Sequence, residues 1–208
     1  GLNPAPAVQL FGTGSNVGYY GWWVACAGDL NGDGYSDVSV SAYTEENGQT
    51  DEGLVYVYHG SGAGLITAPA VVLESNQAIA WMGRCANTAG DVNGDGYADL
   101  LVGVTRFTNG QSLEGAGWLY FGSPTGIPAT PSLTFELNNA GANLGETVCT
   151  AGDVNGDGYS DFIMGARIYG LGGAAAVYLG GPYSTNPTPT TSRFGGASGS
   201  LLGNSVGN

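Results

Sequence analysis

The chain of 208 residues carries 17 acidic and 4 basic side chains, all four of the latter arginine, for a formal net charge of −13. It has no basic face, which argues against a nucleic-acid partner and against polybasic membrane attachment. With 39 glycines, 9 prolines, no long helical periodicity and no apolar run near the ~20 residues that cross a bilayer, it reads as an all-β chain of short strands and tight turns.

Taken in chain order, the run Gly1-Leu2-Asn3-Pro4 has neither the basic region nor the apolar stretch of a signal peptide. An export signal is therefore expected to have been removed or left out of this sequence. Trp22 and Trp23 are adjacent, so in a strand they point to opposite faces. With Tyr19, Tyr20, Trp81 and Trp118 they are expected to pack between structural units, with a glycan platform as the alternative. Cys26 follows, and then the loop Asp29-x-Asn31-x-Asp33-Gly34-x-x-Asp37 and an apolar strand at Val38 to Ser41. Glu45, Glu46, Asp51 and Glu52 lie in the next long loop and read as a solvated acidic hairpin tip, although paired carboxylates also serve glycoside cleavage. Tyr56 to Tyr58 reads as a strand, and His59, the single histidine, as a turn residue.

The second unit begins with a strand near Ala70 to Leu73 and continues with strands at Gly83 to Ala89, Leu100 to Val104 and Ala116 to Phe121. Cys85 precedes its loop Asp91, Asn93, Asp95 and Asp99, and Glu114 repeats the acidic position of the first unit. The third unit carries Cys149, the loop Asp153, Asn155, Asp157 and Asp161, a strand at Val177 to Leu179, and only Ile168 to Gly173 where the others have longer loops. The three cysteines recur in one strand and read as small buried residues, with a disulfide between neighbouring units as the alternative.

The loops recur at 29, 91 and 153, a constant interval of 62 residues, and hold nine of the ten aspartates. Side-chain oxygens at the first, third, fifth and ninth positions, together with the seventh-position carbonyls of Tyr35, Tyr97 and Tyr159, form an all-oxygen donor set suited to Ca2+, one ion per loop and three in all. Magnesium, which prefers a strict octahedron and keeps its waters, fits less well. The EF-hand opens the same way but closes on a bidentate glutamate at position twelve; here that position holds Val40, Val102 and Met164. Each close carboxylate pair costs on the order of 4 kcal/mol at an effective dielectric near 20. The empty loops are therefore expected to be strained and the ions structural.

A repeat of this length with four short strands per unit reads as a propeller blade. The sequence resembles the FG-GAP repeats of the integrin α-subunit β-propeller and of many secreted bacterial proteins, through Phe11-Gly12, the three loops, Leu144-Gly145-Glu146-Thr147-Val148, Gly165-Ala166-Arg167 and Val55 to Ser61. The resemblance implies that the loop Asp and Asn residues bind calcium. It departs at the segment named for Gly-Ala-Pro, here Ser41-Ala42-Tyr43, Gly103-Val104-Thr105 and Gly165-Ala166-Arg167, so ligand specificities do not transfer.

The expected organisation is one partial propeller over 1–208, with units 11–72, 73–134 and 135–193 and the start of a further repeat at 194–208. Gly1 to Leu10 parallels Gly64 to Leu73, and Leu202-Gly203-Asn204-Ser205-Val206 parallels Leu144 to Val148. The chain is expected to be a segment of a longer polypeptide, or else to close a ring or extend an array as a homo-oligomer through its open sheet edges.

The expected function is that of a secreted or cell-surface, calcium-binding scaffold for adhesion to a protein or glycan ligand, without catalysis or membrane insertion. The alternatives are a lectin, the non-catalytic section of a larger secreted hydrolase or lyase, and a self-assembling structural repeat.

Overall fold

The computed structural model describes residues 5–12, 18–182, 191–195 and 202–206. The run Gly1 to Pro4, and residues 196–201, 207 and 208 of the further repeat, lie outside the described residues. Among the described residues there are twelve strands in three antiparallel four-stranded meanders. The first sheet comprises β1 (Val24–Gly28), β2 (Asp37–Ala42), β3 (Leu54–Tyr58) and β4 (Val71–Glu74). The second comprises β5 (Met82–Gly90), β6 (Asp99–Val104), β7 (Ala116–Tyr120) and β8 (Leu133–Phe135), and the third β9 (Leu144–Gly152), β10 (Asp161–Ala166), β11 (Ala174–Tyr178) and β12 (Thr191–Phe194). Each is a propeller blade. The strand read near Ala70 to Leu73 at the head of the second unit is β4, which pairs with β3 through Val57↔Val71 and Val55↔Leu73 as the outer strand of the first blade. A short apolar run matches either neighbouring sheet until tertiary pairing selects one.

Alternation along the strands determines how the blades stack. Val55 and Val57 of β3 face the second blade and pack with Leu100, Val102, Val104 and Trp118. On the opposite face of that blade, Leu101 and Leu119 pack with Phe162, Met164 and Tyr178 of the third. β6 and β7 are consequently buried along their whole length, which explains why Leu100 to Val104 reads as a continuous apolar run rather than an alternating one. Burying one such leucine contributes about 2 kcal/mol. Phe162 and Tyr178 stack with ring centres 5.2 Å apart, and Phe135 meets Tyr178 edge-on at 4.8 Å.

The stacking distance is set partly by glycine. A Cβ on Gly103 of β6 would overlap the Gly145 carbonyl of β9, so the second and third blades approach backbone to backbone there. Gly115 bridges Leu144 in parallel, and Gly173 bridges Leu202 in the same way; the segment 202–206 thus repeats the opening of β9. The face of the first sheet turned away from the second blade carries Tyr56 and Tyr58, with the Tyr20 hydroxyl 2.7 Å from that of Tyr58.

Candidate metal loops

Each candidate loop joins the innermost strand of a blade to the next. In the first, the Asp29 carboxylate accepts from Gly32 N–H at 2.7 Å, Asp33 N–H at 3.1 Å and Gly34 N–H at 2.8 Å. Asn31 Oδ1 accepts from Asp33 N–H at 3.0 Å, and Asp33 Oδ1 accepts from Tyr35 N–H at 2.9 Å. Such local side-chain to backbone bonds are what Asp and Asn form in turns. They need Gly32 and Gly34 at φ 72° and 87°, where a Cβ is strained. The same bonds recur from Asp91 (2.7, 3.1 and 2.9 Å) and from Asp153 (2.7, 3.1 and 2.9 Å).

The ninth-position aspartates play a different part. Asp37, Asp99 and Asp161 are fully buried. Asp37 accepts from Leu30 N–H and Gly60 N–H, both at 2.9 Å, and Asp99 accepts from Val92 N–H and Gly122 N–H at the same distance. Asp161 accepts from Val154 N–H at 2.8 Å and Gly180 N–H at 2.7 Å. This carboxylate ties the base of the loop to the strand end beyond β3, β7 or β11. Burial pushes the Asp99 carboxyl up to about 7 against the pull of its two N–H donors, and Asp95 and Asp91 add to the rise. Burial likewise raises Asp37. Exposed Asp153 is lowered, mainly by the Gly158 N–H.

The first, third and fifth positions are thus gathered in each loop, and the ninth is held beneath them. Among the described residues, no three acidic, histidine or cysteine side chains converge as a ready metal cluster. The donor chemistry nonetheless fits a hard cation. The aspartate oxygens carry formal negative charge, their N–H partners leave further lone pairs on each carboxylate, and no nitrogen or sulfur ligand intrudes. Asn31 Nδ2 donates to Asp33 Oδ2 at 3.1 Å, a bond that competes with ligation by that oxygen.

Two loops are also built into the joints between blades. Ala98 N–H donates to the Asp29 carbonyl at 3.0 Å and Ser123 N–H to the Leu30 carbonyl at 3.1 Å; Ser160 N–H and Gly181 N–H donate to Asp91 and Val92 at 2.9 and 2.8 Å. The Tyr97 ring fills the space a Cβ on Gly32 would need, and the Tyr159 ring does the same at Gly94.

Other residues singled out by sequence divide. The acidic cluster is a solvated tip only in part: Glu46 is exposed and Asp51 half-buried, but Glu45 and Glu52 are buried, as is Glu114. Glu52 accepts from Asn47 N–H at 2.7 Å, Glu114 accepts from Asn109 N–H at 2.8 Å, and Glu45 accepts from the Tyr56 hydroxyl at 2.9 Å. These carboxylates brace the β2–β3 and β6–β7 loops, replacing water by backbone N–H donors at Glu52 and Glu114 and by a tyrosine hydroxyl at Glu45. His59 directly follows β3, with Nδ1 3.4 Å from Asn31 Nδ2. All three cysteines are free, Cys85 and Cys149 buried and Cys26 exposed. Of the aromatic residues, Trp118 packs between blades, whereas Trp22, Tyr43 and Trp81 gather around Arg84 and Tyr19 packs on Trp22 and Tyr43. Sequence reasoning missed that arginine, because no local pattern joins residues so far apart.

The profile described as FG-GAP-like repeat matches residues 29–102, and the profile described as FG-GAP repeat matches 86–120 and 144–179. The chain is 33% identical to integrin alpha-PS5 of Drosophila melanogaster over 80% of its own length and 16% of that protein's. It is 33% identical to integrin alpha-4 of Xenopus laevis, over 74% of its length and 15% of that protein's. It is also 33% identical to phosphatidylinositol-glycan-specific phospholipase D of Bos taurus, over 78% of its length and 21% of that enzyme's. The chain therefore spans about a fifth or less of the relatives it matches.

Proposed function

Because this chain belongs to the FG-GAP repeat family and forms integrin-like propeller blades, we propose that it is a calcium-binding scaffold module, acting in adhesion or ligand binding outside the cell. One ion per loop would be held by Asp29, Asn31, Asp33, Asp37 and the Tyr35 carbonyl, and by the equivalent sets at 91–99 and 153–161. The observation that carries this reading is the threefold recurrence of one loop hydrogen-bond pattern around oxygen donors. Bound calcium supplies positive charge that offsets carboxylate repulsion. The loop residues orient the oxygens, and carbonyls of the first two loops accept from the next blade. Loops of this type with affinities of about 10⁻⁴–10⁻³ M suit extracellular calcium, which supports a secreted or cell-surface location.

Catalysis is not assigned to this segment, since its buried carboxylates are engaged in bracing loops. The likeness to a phospholipase over 21% of that enzyme favours, as a second reading, a non-catalytic section of a larger polypeptide.

Calorimetric titration of the calcium-stripped chain, with thermal melts in calcium and in chelator, tests the proposal. Three ions per chain are expected, each site adding about 2.7 kcal/mol at 100 times its dissociation constant, and Asp91→Ala should remove one. Identical melts with and without calcium would sink it.

A further inference from the structure

Three of the four cationic side chains of this strongly acidic chain meet at the strand ends away from the metal loops. Arg84, near the start of β5, lies 5.7, 5.4 and 5.4 Å from the ring centres of Trp22, Tyr43 and Trp81. It pairs with Glu146 Oε1 at 3.0 Å, and Arg167, just beyond β10, reaches the same oxygen at 3.8 Å. Arg106, just beyond β6, places its guanidinium carbon over the Trp81 ring, 3.4 Å from the ring centre, and among the described residues it has no carboxylate partner. Glu146 thus pairs with two of the three guanidinium groups, leaving local positive charge on a chain of net −13.

Beside these arginines, Tyr19 is 65% and Trp22 47% exposed. Tyr19 stacks on Tyr43 with centres 5.4 Å apart and planes 14° from parallel. Tyr19 and Trp81 hold φ of 61° and 54°, a backbone conformation costly for bulky residues that gathers at functional sites.

We propose that this arginine–aromatic platform binds a carboxylated saccharide. The sugar carboxylate meets the guanidinium groups of Arg106 and Arg84 that flank Trp81, and a neighbouring sugar ring stacks on Trp22 and Tyr19. Arginine forks recognise carboxylates and remain charged while stacked on rings. An open aromatic surface, rather than a closed pocket, suits flat sugar rings. The charge pattern favours a saccharide over an acidic peptide. The cationic spot is small and the rest of the surface is acidic, so widely spaced carboxylates are tolerated where a contiguous acidic run is repelled.

The test uses the calcium-loaded chain and two glycans of equal length: a hyaluronan hexasaccharide, with one glucuronate per disaccharide, and chitohexaose, which has no carboxylate. Tryptophan fluorescence and calorimetry read binding. Hyaluronan is expected to bind at least about tenfold tighter, as a charged hydrogen bond warrants, and more weakly as salt rises. Arg106→Gln and Trp22→Ala should each reduce its affinity about tenfold without altering calcium stoichiometry, and Arg106→Lys should fall between. Saturation-transfer NMR on the unmodified chain gives a readout that needs no variant, with signal expected on the glucuronate and its neighbour. Equal affinity for chitohexaose, absence of binding, indifference to both substitutions, or tighter binding of an oligo-aspartate peptide would overturn the proposal. The platform contains no metal-loop residue, so its failure leaves the calcium titration standing, and the reverse.

Discussion

The ring of Tyr97, in the second metal loop, occupies the space beside Gly32, in the first, that any β-carbon at residue 32 would take. Consecutive loops are thereby locked together as blades stack, in addition to the Ala98-to-Asp29 backbone bond of 3.0 Å.

Gly32→Ala and Gly34→Ala should separate this contact from backbone strain. Both glycines have positive φ, but only Gly32 faces a neighbour; Gly34 has open space around it. Gly34→Ala is expected to cost about 1–2 kcal/mol for the left-handed conformation. Gly32→Ala should cost a further 1–3 kcal/mol, roughly, for the displaced ring. Gly156 also faces open space, so Gly156→Ala should resemble Gly34→Ala. Urea denaturation in calcium checks all three, and equal losses at residues 32 and 34 would remove the ring contact as a cause.

Asp99 is a buried hub as well as a candidate ligand. Asp99→Ala strands the N–H groups of Val92 and Gly122, each costing about 1–3 kcal/mol unpaired, so a loss of roughly 2–6 kcal/mol is expected even in chelator. Its carboxyl is raised to about 7, so the folded state binds a proton more tightly than the unfolded. In chelator this group's contribution to stability is full below the ordinary carboxylate range and is lost as pH rises through about 7. Melts between pH 5 and 8 should therefore fall with pH, and Asp99→Asn should flatten that slope. A slope unchanged by Asp99→Asn would assign it to other groups.

Glu114 is expected to order the β6–β7 loop. Its Oε1 accepts from Asn109 N–H at 2.8 Å and Gln111 N–H at 3.2 Å. Glu114→Ala should speed hydrogen exchange at those two amides, while Glu114→Gln, which keeps one acceptor oxygen, should restore most of the protection. Unchanged exchange in the alanine variant would mean that the loop is held by other contacts.

Thiol chemistry should distinguish the three cysteines despite their common strand. Cys26 is exposed, whereas Cys85 is buried and its thiol is pushed up to about 12 by burial. Because the thiolate is the reactive form, a disulfide reagent at neutral pH should modify one thiol in the native chain and three after denaturation. Rapid modification of Cys85 in the native state would contradict its burial.

Much of this molecule was legible in sequence because the interactions concerned are short. The Asp29 carboxylate bonds to N–H groups three, four and five residues ahead, so residue spacing alone determined the three loops, their oxygen chemistry and the strands on either side. The 62-residue recurrence likewise implied stacked blades, since no single blade buries both its faces. Tertiary structure decided what depends on contacts between blades or across long loops: that β4 closes the first sheet, that Glu52 and Glu114 are buried braces, and that Asp99 accepts from Gly122, 23 residues away. It also decided that Arg84 meets Trp22 and Glu146, each 62 residues from it and each in a neighbouring blade. The physical reason is that a local turn forms its own hydrogen bonds wherever it lies, whereas the environment of a charged or aromatic side chain is supplied by whichever distant strand packs beside it.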